Sequence, residues 1–199
     1  MNKLIKSSVL LIVLFCVTSC SSPKIEDYNN TTPNLVLEDF FNGELVAYGM
    51  VLDRNGKLSR RFTVKLEAYW ENNKGTINEW FIFDDGEKSI RTWQLIKQEN
   101  NTYTGTANDV VGTAKGQTNG SALYWQYDLI ITVDGSEYQV TLDDWMYLLD
   151  DKRLFNKTDI IKYGLKVGEI ILSKDLYFLG HELIHSYTKI IGLLSFTDI

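Results

Sequence analysis

The chain has 199 residues, with 20 Lys and Arg against 26 Asp and Glu, and a formal net charge of −6. That acidic balance excludes a nucleic-acid binder, which needs Lys- and Arg-rich patches to meet phosphate. The only cysteines, Cys16 and Cys20, lie near the start, so the rest of the chain has neither a disulfide nor thiol chemistry.

Residues 1–19 read as a cleavable secretory leader. Lys3 and Lys6 supply a charged start, and an apolar run from Val9 to Val17 follows. That run is far short of the ~20 residues a membrane-spanning helix needs. Val17-Thr18-Ser19-Cys20 then resembles the lipobox of bacterial lipoproteins. The resemblance implies that Cys20 is acylated, making the membrane a partner through several acyl chains. Ser21 and Ser22, with no aspartate after the cysteine, resemble an outer-membrane sorting context facing the periplasm. Residues 20–34 are polar, hold Pro23 and Pro33, and are expected to form a flexible tether.

Leu35, Leu37, Phe40 and Phe41 come next, as a helical turn or a plug against a sheet. Turn dipeptides then punctuate the chain: Asn55-Gly56, Asp85-Gly86, Asn119-Gly120 and Asp134-Gly135, with weaker turns at Lys74-Gly75 and Asn100-Asn101. Gly and Asn accept the positive φ of tight hairpins at low cost. Between the turns the residues alternate. Phe62, Val64, Leu66, Ala68 and Trp70 share one face, and Arg61, Thr63, Lys65 and Glu67 the other. Leu123, Trp125, Tyr127, Leu129, Ile131 and Val133 repeat the pattern. Alternation of this kind marks strands with one buried face.

The expected fold is all-β: an antiparallel up-and-down meander of about ten strands over residues 35–173, closing into a barrel that removes its edges. A two-sheet sandwich is the second choice. A lipid-facing barrel is disfavoured, because the faces opposite the apolar ones carry Arg, Lys and Glu. The apolar set runs on even positions to Leu142 and on odd positions from Trp145, which predicts a β-bulge or a strand break at Asp143-Asp144. Residues 174–199 form an amphipathic, helix-like tail.

Motifs spread over residues 35–172 resemble a family of uncharacterised Gram-negative bacterial lipoproteins of unknown function with a lipocalin-like barrel. They include Phe40-Phe41-Asn42-Gly43, Phe83-Asp84-Asp85-Gly86-Glu87, Arg91 with Trp93, Asp109-Val110 with Gly112, Asp143-Asp144-Trp145-Met146-Tyr147 and Lys162-Tyr163-Gly164. The resemblance implies the barrel and the anchor but brings no activity. The tail after Ser173 departs from it.

The residues themselves offer no catalytic assignment. Residues 35–173 contain no His and no Cys, so no Ser-His-Asp or Cys-His arrangement is available. His181-Glu182-Leu183-Ile184-His185 in the tail fits the H-E-x-x-H zinc pattern, but no third histidine exists to complete a catalytic site. His181, Glu182 and His185 are therefore weak metal candidates, and no cofactor is implied. The function expected is binding of an apolar or amphipathic small molecule within the barrel. Arg61, Glu79 and Arg91 are candidate polar anchors, Trp93, Trp125 and Trp145 candidate walls or caps, and Asp144 a carboxylate turned inward by the bulge. A structural envelope protein with a filled core is the alternative, its protein partner unspecified.

Overall fold

A computed structural model describes residues 22–133 and 135–176. The leader, Cys20, and the tail with His181, Glu182 and His185 lie outside the described residues, as does any helix in that tail.

The alternating segments form ten strands. They are β1 (Gly43–Asp53), β2 (Leu58–Glu71), β3 (Lys74–Phe83), β4 (Lys88–Lys97), β5 (Thr102–Thr106), β6 (Val110–Asn119), β7 (Ala122–Val133), β8 (Ser136–Asp150), β9 (Arg153–Lys162) and β10 (Leu165–Leu176). Each pairs antiparallel with its sequence neighbours, and β1 also pairs with β10, Leu45 opposite Leu176. The sheet is thus a closed barrel and not a sandwich, and closure satisfies the backbone groups that open edges would leave free. The hairpins fall where the turn dipeptides place them; Gly86, for example, has φ +88°. The weaker turn moves from Lys74-Gly75 to Asn72, with φ 56°. Gly75 instead lies inside β3, where a Cβ would come within 2.6 Å of the Trp70 ring.

Side chains alternate in and out along every strand. Inside lie Leu45 and Ala47 of β1, Val64, Leu66 and Ala68 of β2, Leu123 and Trp125 of β7, Val140 and Leu142 of β8, and Leu154 of β9, all buried. Each fully buried leucine is worth about 1.5–3 kcal/mol relative to exposure. Outside, charges run along the strands: Lys65 meets Glu44 and Glu67 at 3.5 and 3.1 Å, Arg61 meets Asp84 at 2.9 Å, and Arg153 meets Asp175 at 2.9 Å. A lipid-facing barrel would carry an apolar band there. No helix among the described residues is long and apolar enough to cross a membrane.

The expected bulge at Asp143-Asp144 is absent. β8 keeps unbroken register with β7 from Ser136 to Tyr147, and its register shift against β9 falls between Leu148 and Asp150. The apolar pattern only seems to change parity, because β8 is covered on both faces. Asp144, Met146 and Leu148 point inward, while Trp145 and Tyr147 lie outside beneath Tyr28, at ring distances of 5.7 and 5.5 Å.

One end of the barrel is plugged. The helical turn α1 (Leu37–Phe40) buries Leu37 and Phe40 there, with Phe41 beside them. Trp70 Nε1 donates to the Phe41 carbonyl at 3.1 Å, Tyr103 OH donates to Glu38 at 3.0 Å, and Lys97 pairs with the same carboxylate. Residues 22–34, expected to be a free tether, are instead docked at this end. Ile25 is buried, Asn119 Nδ2 donates to its carbonyl at 3.0 Å, and Thr31 Oγ1 is 2.9 Å from Ser121 Oγ. Gly120 makes this possible: a Cβ there would lie 2.1 Å from the Tyr28 carbonyl. The boundary at Ser173 also moves, since β10 continues to Leu176 and takes in Lys174.

Candidate functional site

Inside the plugged end, leucines and aromatic rings fill the barrel. Among them the packing leaves a cavity of about 110 Å³, with Leu37 and Phe41 of the plug in its lining. That is several times the ~30 Å³ share of one liquid water and below the ~300–1,000 Å³ of drug-sized pockets. It suits a small molecule, or one end of a larger one.

Aromatic side chains form one wall. Trp93 of β4 meets Trp125 and Tyr127 of β7 edge-on, at 5.7 and 5.2 Å between ring centres. Such pairs add about 0.5–1.5 kcal/mol beyond area burial. Trp125 fits because β5 and β6 present glycines to it: a Cβ on Gly105 or Gly116 would come within 2.9 or 2.2 Å of its ring.

The polar part of the lining has two groups. In the first, Glu79 and Arg91 are cross-strand partners on β3 and β4. β5 is too short to flank Arg91, so the connection to β6 folds over it. Asn108 Oδ1 accepts from the Thr92 amide at 3.1 Å, and Asp109 takes three hydrogen bonds from the Arg91 guanidinium at 2.6–2.9 Å. Arg91 Nη1 lies 3.9 Å from Glu79 Oε2, within ion-pair reach but too far for a hydrogen bond. That buried oxygen has no hydrogen-bond partner among the described residues. Burial raises the Glu79 pKa above its ordinary value. Burial also works against the Arg91 charge, but Tyr127, Glu79 and Asp109 outweigh it and its pKa is raised.

The second group spans β8, β9 and β10. Asp144 Oδ1 accepts from Thr158 Oγ1 at 2.8 Å and from Asn156 Nδ2. Lys174 Nζ donates to Asn156 Oδ1 at 2.7 Å and sits 3.6 Å from Met146 Sδ. Burial raises the Asp144 pKa and lowers that of Lys174, while their mutual attraction opposes both shifts.

Five sequence candidates therefore line one cavity: Glu79, Arg91, Trp93, Trp125 and Asp144. Two do not. Arg61 points outward, its side chain 68% exposed, because Phe62 and Val64 hold the inward positions of β2. Trp145 also faces outward, stacked among Tyr28, Tyr124 and Tyr147. Asp144 does turn inward, but through ordinary alternation and not through a bulge.

Residues 14–175 match the family described as protein of unknown function (DUF3833). The chain belongs to this family. The expected kinship with a family of unknown function is met, and residues 176–199 lie outside the match. No curated protein matches the chain. Among solved structures, Odorant Binding Protein OBP1 is similar at 14% identity, covering 82% of this chain and 88% of that one, with a TM-score of 0.33. The DUF3833 barrel is defined by its own strand pairing, without appeal to that likeness.

Sequence reasoning missed Asn156, Thr158 and Lys174 as parts of the site. Leu154, Asn156, Thr158 and Ile160 alternate as the other strands do, but two polar residues in the series hide the inward face. Lys174 follows Ile170 and Leu172 on the same parity, and that spacing was its only signal. Asp109 was visible within a family-like motif, without a role. Chemically the cavity combines aromatic walls with hydrogen-bonding groups of both signs, a composition suited to orienting an amphipathic guest.

Proposed function

We propose that this DUF3833 protein binds a small amphipathic molecule inside its barrel. The observation that carries this reading is a mid-barrel cavity whose wall holds a buried carboxylate oxygen, Glu79 Oε2, with no donor among the described residues. Buried polar groups are almost always satisfied, and leaving one unmade costs about 1–3 kcal/mol. A guest that brings a donor removes that cost, and its apolar body packs on Trp93, Trp125 and Leu172.

Extraction of the purified full chain into organic solvent, followed by mass spectrometry, tests the reading. The expected result is one class of small molecule, recovered in near-stoichiometric amount and lost from an Ala47→Phe variant that fills the cavity. An extract without any small molecule contradicts it.

The leader and Val17-Thr18-Ser19-Cys20 support a lipid anchor on Cys20, with the barrel facing the periplasm from the outer membrane. Metabolic labelling with a fatty acid should mark the parent and not Cys20→Ala; equal labelling of both contradicts the anchor.

A further inference from the structure

We propose that the guest of the mid-barrel cavity is an amine, held as its ammonium by Glu79 and Asp144. This rests on the small-molecule reading above and adds the chemistry of the guest's polar end.

The first ground is the missing donor. Glu79 Oε2 has no hydrogen-bond partner among the described residues, and the nearest cation is already engaged: Arg91 gives Asp109 three hydrogen bonds and stays 3.9 Å away from Glu79. Asp144 uses one oxygen, Oδ1, for both Thr158 and Asn156. An ammonium has three donors and no acceptor, which matches the unpartnered Glu79 Oε2 with a second carboxylate, Asp144, in the same lining.

The second ground is charge. Glu79, Asp109 and Asp144 face two cations, Arg91 and Lys174. Arg91 and Asp109 form a closed pair, and Lys174 is attracted to Asp144. With all five groups ionised, one negative charge is left uncompensated beside Glu79. A monocation brings the cavity to neutrality. A carboxylate or phosphate would add to the excess, and it would find Arg91 committed to Asp109 and Lys174 to Asn156. An uncompensated buried charge is costly, and an ammonium offsets that cost while letting the carboxylate stay ionised.

The third ground is the wall. Rings of Phe81, Trp93 and Tyr127 line the same cavity as the carboxylate, and the Arg91 guanidinium lies 5.5 Å from the Phe81 ring and 5.9 Å from that of Trp93. Aromatic faces attract cations and repel anions, so the same wall favours an ammonium.

Calorimetric titration of the full chain with hexylamine, hexanol and hexanoate near neutral pH tests the proposal, since the amine is then protonated and the acid ionised. The chains are alike and short enough for the cavity. Hexylamine should bind roughly tenfold or more tightly than hexanoate, the scale of one charge-assisted hydrogen bond. Glu79→Gln, with its fold verified by circular dichroism, should remove most of that preference. Hexanoate binding as tightly as hexylamine, or a preference that survives in Glu79→Gln, overturns the amine and leaves the cavity as a site for another guest. Failure of all three probes to bind overturns both the amine and the small-molecule reading.

Discussion

At position 79, burial leaves a carboxylate whose ionisation disfavours the fold. In the unfolded chain Glu79 loses its proton around its ordinary value of 4.5, and burial raises that value in the folded state. Between the two, the folded protein binds more protons than the unfolded one, so stability falls as pH rises. Below 4.5 the carboxyl is protonated in both states and the penalty vanishes. Glu79→Gln should therefore be more stable than the parent at neutral pH, by about 1–3 kcal/mol, or roughly 2–4 °C per kcal/mol in a chain of this size. The gap should close in acid. Thermal melts across pH check this, and a variant less stable than the parent at every pH contradicts it. Gly116 makes a purely steric case. A Cβ there would sit 2.2 Å from Trp125 Cε3 and 2.7 Å from the Tyr124 carbonyl, so Gly116→Ala should cost about 1–3 kcal/mol in a urea titration. A melt unchanged from the parent would mean that Trp125 has room to move. Residue type and alternation made Glu79, Arg91, Trp93, Trp125 and Asp144 visible as candidates. They did not tell inside from outside for Arg61 and Trp145, because the direction of a parity series is set by what covers each face. Lys174 was hidden because the family-like pattern ends at Ser173, so the last three residues of β10 read as the start of a tail.

The strands were legible as elements because turn chemistry and alternation agree along most of the chain. β8 shows where that agreement fails. Its outer aromatic residues, Trp145 and Tyr147, are covered by Tyr28, more than a hundred residues away in sequence, and a two-sided strand imitates a change of parity. The docking of residues 22–34 was equally hidden, because Ile25 and Tyr28 stand alone in a polar stretch with no period. α1 was legible as a plug from its four clustered apolar residues. Phe40 is 4% exposed and packs edge-on against Phe41 at 5.2 Å. Phe40→Ala should cost about 3–5 kcal/mol, read as a lower denaturant midpoint with an unchanged slope. A loss below 1 kcal/mol would mean that the plug contributes little to holding the barrel end.

At the scale of the whole molecule, sequence carried as far as an antiparallel meander of about ten strands with a barrel preferred over a sandwich, and the pairing of β1 with β10 decides for the barrel. The cavity did not follow, since a void is the small difference between the space a barrel encloses and the volume of the side chains that enter it. Here the void is lined both by apolar residues, Leu37 and Phe41 of the plug among them, and by the charged residues of β3, β4, β8 and β10. The same arrangement places polar groups deep in the interior and charged pairs on the outer wall, and it is this interior that we propose receives the guest.

Crystallography with a brominated short-chain amine, located by the anomalous signal of bromine, tests that claim most directly. The account predicts one bromine peak within the barrel, between Phe62, Trp93 and Leu172, with the amine nitrogen against Glu79. Bromine found only on the outer wall, with the interior closed around its own side chains, would contradict it.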